Sequence, residues 1–186
     1  MQAAGGAAIT SSEPLPARRY WLIALVVGVL GLALDQVVKA VVIATLDPAD
    51  PIPLLGGLVT LQLIRNSGAA FSMGEGLTPV FTVLAIIALA GVLVWLLPRL
   101  RHLGWAVTAG LLLAGIAGNL TDRLFREPAP FQGHVIDFIQ VPYFAIFNVA
   151  DIFITAAAVL VVWLTMIAKV NLDGSRSVDH AGAANG

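Results

Sequence analysis

Four long apolar runs set most of what this chain can become: about Tyr20–Thr45, Val80–Leu97, Leu103–Leu120 and Phe147–Ala168. Each is close to the ~20 residues that cross a ~30 Å hydrocarbon layer at 1.5 Å per residue. A segment in lipid has to satisfy its own backbone N–H and C=O groups, which a helix does. The predicted fold class is therefore an all-α integral membrane protein with four transmembrane helices. Composition agrees, with 59% hydrophobic and only 11% charged residues, where a soluble domain has about a quarter charged. The first run follows Arg18 and Arg19 and could pass for a signal peptide. It is too long for that role, lacks an A-x-A cleavage site and precedes three further runs.

Basic residues give the expected orientation. Arg18, Arg19, Arg99, Arg101, Lys169 and Arg176 fall on one side of the four runs, against Arg65, Arg123 and Arg126 on the other. The positive-inside bias puts both termini and the 98–102 loop in the cytoplasm, and the long connections 46–79 and 121–146 outside. Residues 1–19, rich in Ala, Gly, Ser and Pro, read as a disordered cytoplasmic leader, 20–168 as one membrane domain and 169–186 as a cytoplasmic tail. In the first outer connection, "LVTLQLI" (58–64) sets Val59, Leu61 and Leu63 against Thr60 and Gln62, the period of a half-buried strand. A small extracytoplasmic β-sheet region lying on the membrane is predicted there, and "NSGAAFSMG" (66–74) has turn chemistry.

Several chemistries are excluded or disfavoured. The chain has no cysteine, so disulfides, thiolate metal sites and cysteine nucleophiles are impossible. Three scattered histidines without an H-E-x-x-H pair argue against a zinc protease, and no metal or cofactor is expected. A net charge of −1 gives no reason to expect nucleic acid as a partner.

Polar residues that lipid does not explain carry the functional signal. Asp35 precedes Lys39 by four, the favourable acid-before-base order on a helix, and Asp122 has Arg123 beside it and Asn119 one turn earlier. Both acids read as structural, because paired charges in a membrane commonly hold helices together. Asp137 ("VIDFI") and Asp151 ("NVADIFI") have no Lys or Arg within four residues; only His134 comes near. Asn148 and Asp151 share a face at the mouth of the last helix, and the turn-prone segment around Gly133 could bring Asp137 down onto it. At ~5 Å and an effective dielectric near 20, two ionised carboxylates repel by about 3 kcal/mol, roughly two pKa units. One proton would then be shared, making an acid and a base from identical side chains. Such a dyad suits amide hydrolysis by an activated water without a covalent intermediate. On sequence alone the alternative stays open that the two are caps at helix mouths.

Five blocks in order carry a resemblance: "DQVVK" (35–39), "NSGAAF" (66–71), "GNLTDR" (118–123), "GHVIDF" (133–138) and "FNVAD" (147–151). With their placement on four spans, the chain resembles the bacterial lipoprotein signal peptidases (signal peptidase II), membrane aspartyl proteases of four helices, over about residues 20–168. The resemblance implies a catalytic dyad of Asp137 and Asp151. It also implies supporting or substrate-binding roles for Asp35, Lys39, Asn66, Gly68, Asn119, Asp122, Arg123 and Asn148, with Ala150 keeping the wall of the site narrow. The stretch between the two aspartates is short for the family. The implied substrate is a diacylglyceryl-modified prolipoprotein held at the bilayer boundary by membrane lipid and cut just before its lipidated cysteine. The implied setting is the bacterial cytoplasmic (inner) membrane, with the site near its outer face and the chain a monomer. Two rivals from other classes are a small proton-coupled transporter or channel, against which the lack of an inverted repeat speaks, and a non-enzymatic assembly factor that docks through its outer sheet.

Overall fold

The computed structural model describes residues 17–68 and 77–176. Its four helices are α1 (Ala17–Thr45), α2 (Thr78–Ala90), α3 (Leu103–Phe125) and α4 (Val149–Val162). α2 runs on through a π-helical stretch, Gly91–Leu96, and a short 3₁₀ turn, while α4 ends in π-helical Trp163–Ile167. Counted through these endings, all four are long and apolar enough to span a membrane. Their outward faces carry large apolar side chains such as Val29, Leu30 and Val37 exposed, as lipid contact requires. α1 already includes Ala17, Arg18 and Arg19, so helix replaces the last part of the expected leader; residues 1–16 lie outside the described residues. α3 continues past the expected end at Leu120 to Phe125, which carries Asp122 and Arg123 on helix instead of loop.

One core cluster fixes the bundle as up-down-up-down. It joins Tyr20 and Ala24 at the start of α1, Val92 and Leu97 at the end of the second span, Trp105 to Leu113 at the start of α3, and Leu164 at the end of the last span. α3 is central: 56% of its most apolar window is buried, against 17% for each of the other three. Small residues let its neighbours approach. Ala106, Gly110, Ala114 and Gly118 recur every fourth position and so line one face. A Cβ on Gly110 would sit 2.6 Å from the Val27 Cβ, and one on Gly31 would sit 2.6 Å from the Ala114 Cβ. Gly118 faces both α1 and α4, 2.6 Å from Asp35 Oδ2 and 3.0 Å from the Ala150 Cβ by the same construction.

At the opposite end a three-stranded antiparallel sheet, β1 (Ile52–Leu54), β2 (Val59–Asn66) and β3 (Val135–Gln140), joins the two long connections in the order β1-β2-β3. The alternation over 58–64 pointed to β2 alone; β1 and β3 were not predicted. Leu63, Ile136 and Phe138 bury against Val42 near the end of α1. The β2–β3 register runs Leu61↔Ile139 and then Ile64↔Asp137, so β2 has one extra residue at a bulge. The extra residue changes the parity of the strand, and Ile64 and Asn66 come to the face that Asp137 and Val135 occupy.

The segment after the last helix begins with a folded turn. Val170 pairs with Arg176, Trp105 Nε1 donates to the Val170 carbonyl at 2.9 Å, and the Arg101 amide donates to the Leu172 carbonyl at 2.8 Å. Residues 170–176 are thus folded against the start of α3; residues 177–186 lie outside the described residues.

Candidate active site

Two carboxylates arrive from two different elements. Asp151 is the third residue of α4, whose N-cap is Asn148. The Asn148 Oδ1 accepts from the Asp151 amide and the Asp151 Oδ2 accepts from the Asn148 amide, both at 3.1 Å, a reciprocal capping box. A carboxylate there also meets the positive end of the helix dipole. Asp137 sits in the middle of β3 and is 3% exposed. The connection 141–146 returns at once, because Phe147 and Ile139 exchange backbone hydrogen bonds of 3.0 and 2.9 Å. Asn148 therefore lies beside β3.

That placement makes Asn148 the link between the acids. Its Nδ2 donates to Asp137 Oδ1 at 2.6 Å while its backbone N–H holds Asp151. Asn66 Nδ2 donates to Asp137 Oδ2 at 2.8 Å, and Asn119 Nδ2 donates to Asp151 Oδ1 at 2.8 Å. Each amide is oriented by a donor on its oxygen. Gly68 N–H donates to Asn66 Oδ1 at 2.8 Å, Lys39 Nζ to Asn119 Oδ1 at 3.2 Å, and the Asp151 N–H to Asn148 Oδ1. All three side chains must then turn N–H toward a carboxylate. Gly68 has a φ of +93° and a Cβ there would strike the Phe81 ring at 2.6 Å, so glycine is required on both counts. The rest of the expected turn segment, 69–74, lies outside the described residues.

Among the described residues neither Asp137 nor Asp151 forms an ion pair. Burial raises the Asp137 carboxyl to about 6, against the opposing pull of its hydrogen bonds from Asn66 and Asn148; the neighbouring Asp151 adds a smaller rise. Arg123 lies within electrostatic reach of both acids. Its NH1 makes a 3.3 Å bond to the Asn119 carbonyl, and its Nε is buried with no hydrogen-bond partner among the described residues. A groove of about 830 Å³ opens beside Asp151, lined by Phe144, Phe147, Ile152, Thr155 and Val159.

The other two aspartates form a separate, fully buried cluster. Lys39 Nζ contacts Asp35 Oδ2 at 2.9 Å and Asp122 Oδ2 at 2.7 Å, and all three side chains are 0% exposed. The second cation of this cluster is Arg126, whose Nε bonds Asp122 Oδ1. Arg123, the sequence neighbour of Asp122, makes no ion pair with it, as expected of side chains one residue apart on a helix, which diverge. Two residues escaped the sequence reading. Arg126 stands four after Asp122, the same acid-before-base spacing that identified Lys39, and so was findable. Gln36 carried no signal; its Nε2 donates to Asp35, the Gly118 carbonyl and Asp122 at 3.1 to 3.3 Å. Ala150 is fully buried against Gly118, so it packs α4 on α3 instead of facing the groove.

The structure thus brings together Asp137, Asp151, Asn66, Asn119, Asn148 and Arg123 around one point, and sets Asp35, Lys39 and Asp122 immediately behind it. Comparison with known proteins points the same way. A family model described as signal peptidase (SPase) II matches residues 27–167. The chain is 43% identical over 160 residues to the lipoprotein signal peptidase of Leifsonia xyli subsp. xyli, covering 86% of this chain and 73% of that one. It is 44% identical over 157 residues to the lipoprotein signal peptidase of Mycobacterium avium, covering 84% and 85%. A bacterial membrane enzyme solved by the in meso method at 1.9 Å superposes with a TM-score of 0.68 at 27% identity, over 77% of this chain and 92% of that one.

Proposed function

This chain belongs to the signal peptidase II family and removes signal peptides from prolipoproteins, and we propose that it does so as an aspartic endopeptidase with Asp137 and Asp151 as its catalytic pair. The observation that carries this reading is the single asparagine, Asn148, that binds both carboxylates while, among the described residues, no cation forms an ion pair with either. Two acids sharing one proton carry one negative charge, which the under-bonded Arg123 balances.

The environments assign the roles. Asp137, buried and raised to about 6, holds the shared proton. Asp151, at the start of α4, acts as the carboxylate. It removes a proton from a water that attacks the scissile carbonyl, while Asp137 protonates the carbonyl oxygen. Collapse of the resulting diol returns a proton to Asp137, and the proton on Asp151 passes to the departing amine. Arg123, with donors to spare, binds substrate backbone beside the dyad. The substrate carries a diacylglyceryl group on the cysteine that follows the cut, and its lipid keeps the peptide bond at the membrane boundary.

The membrane orientation follows from charge. Arg18, Arg19, Arg99, Arg101, Lys169 and Arg176 cluster at the end of the bundle opposite the dyad. We place that end and both termini in the cytoplasm, with the dyad and the sheet at the outer face and residues 20–168 as the protease unit, active as a monomer. The test is direct. Purified protein incubated with a synthetic diacylglyceryl-modified precursor peptide should release the signal peptide, and should continue to do so in EDTA. Loss of activity in EDTA that zinc restores would defeat a two-carboxylate mechanism.

A further inference from the structure

We propose that Asp35 and Asp122 are positioning residues for the dyad, each gripping the backbone N–H of the residue immediately before one catalytic acid, with Lys39 locking the two grips together. This rests on the assignment of Asp137 and Asp151 above. Asp35 Oδ1 accepts from the Ala150 amide at 2.9 Å, one residue before Asp151. Asp122 Oδ2 accepts from the Ile136 amide at 3.2 Å, one residue before Asp137. Two acids on α1 and α3 therefore hold two peptide units on α4 and β3.

Both amides need an outside partner. The Ala150 N–H is one of the donors that the start of a helix leaves unsatisfied, and here the acceptor comes from another helix. The Ile136 N–H faces the side of β3 away from β2, where Phe138 N–H reaches the Phe147 carbonyl and Asp122 serves in place of a strand. Lys39 Nζ then bridges Asp35 and Asp122 at 2.9 and 2.7 Å, and its contact with Asn119 turns that amide toward Asp151. A pair that only held α1 to α3 would need neither of the two backbone grips. Because Asp35, Lys39 and Asp122 are 0% exposed, no bulk water competes for the grips.

The experiment compares Asp35→Asn and Asp122→Ala with Leu113→Ala, a buried core position half-way along α3. At Asp35 the Ala150 amide and Lys39 use different oxygens, so an asparagine turns its NH₂ toward one of them and loses that contact. At Asp122 one oxygen, Oδ2, accepts from both Lys39 and the Ile136 amide, so alanine is needed to remove the grip. kcat and KM for the diacylglyceryl-modified peptide are measured well below each melting temperature, across pH. The expected result is a loss of about 10²-fold in kcat with KM within about twofold, as for reacting groups displaced by ~1 Å. The basic limb of the pH–rate profile should move as well. Leu113→Ala should melt earlier yet keep the parent kcat and profile. Lys39→Arg is the second arm if these two variants do not fold, since it keeps the charge but its planar fork cannot reproduce three contacts; the same kcat loss is expected. Folded variants that behave like Leu113→Ala overturn the proposal. Cleavage by Asp137→Asn, run in parallel, would instead overturn the dyad assignment on which it rests.

Discussion

Four aspartates on the helices and strands of this chain lie at one end of a membrane bundle, and their surroundings divide them into two kinds. Asp35 and Asp122 are wholly buried and matched by cations, Lys39 and Arg126, so two negative charges meet two positive ones. Asp137 and Asp151 are met by amide N–H groups from Asn66, Asn119 and Asn148 and, among the described residues, by no ion pair. A cation beside a carboxylate holds it ionised, whereas neutral donors leave it free to take up or give a proton. On the proposed assignment, the difference between an anchor and a reagent is therefore made by the surroundings of the carboxyl and not by the residue type.

The strongest way to break this comparison is to remove proton exchange from the second kind alone. Asp137→Asn and Asp151→Asn should each lower cleavage by at least about 10³-fold, the upper range for general acid–base groups, while binding of the lipidated precursor persists. Substantial turnover by either variant would show that the division is drawn in the wrong place. For the first kind the large effect should be on stability. Asp35→Ala or Asp122→Ala takes from buried Lys39 one of its two carboxylates, and removing one member of a buried ion pair costs about 3–5 kcal/mol. Thermal unfolding in detergent should show it; an unchanged melting temperature would mean the cluster is no anchor.

Smaller effects sharpen the boundary. Gly118→Ala pushes a methyl group into Asp35, which Lys39 prevents from moving, and into Ala150. Overpacking of this sort costs about 1–3 kcal/mol, and it should lower both melting temperature and kcat because it touches the structure behind both acids. The pH profile should report the second kind only. With the proton on Asp137, kcat/KM should fall about tenfold per pH unit above an apparent value of about 6. A profile flat from pH 6 to 8 would count against Asp137 as the acid.

The least change is expected in the stability of Asp137→Asn. A carboxyl raised from 3.8 to about 6 contributes stability that is complete below the unfolded value and lost as pH rises through the folded one. Neutralising the side chain removes that loss. Yet Asn66 and Asn148 both direct N–H groups at residue 137, and an asparagine there must oppose one of them with its own NH₂. The two effects should offset to within about 1 kcal/mol near neutral pH. Melting temperature followed from pH 4 to 7 should fall for the parent and stay flatter for the variant.

The legible parts of this molecule were those that obey a local rule. Four spans follow from apolar length, and the Asp35–Lys39 pair follows from helical spacing. The separation of Asp137 and Asp151 from the other aspartates follows from the absence of nearby cations in sequence. What escaped was set by contacts distant in sequence. Gln36 joins α1 to α3, and β3 is apolar on both faces apart from Asp137 and the terminal Gln140, so no alternation marks it. Arg123 and Arg126 show the limit from the other side. Both are near Asp122 in sequence, but helix geometry gives the ion pair to the more distant one.

The bulge in β2 adds something that no letter of the sequence records. A strand changes sides at every step, so one inserted residue between Leu61 and Ile64 inverts everything after it. Asn66 reaches Asp137 only because of that inversion. Were the same residues paired without the bulge, all five sequence blocks would be untouched, and any search for them would score the chain as complete. Asn66 would nonetheless fall opposite His134 and face away from the carboxylate it serves. The count of residues leading up to a motif is as much a part of its spelling as the residues within it.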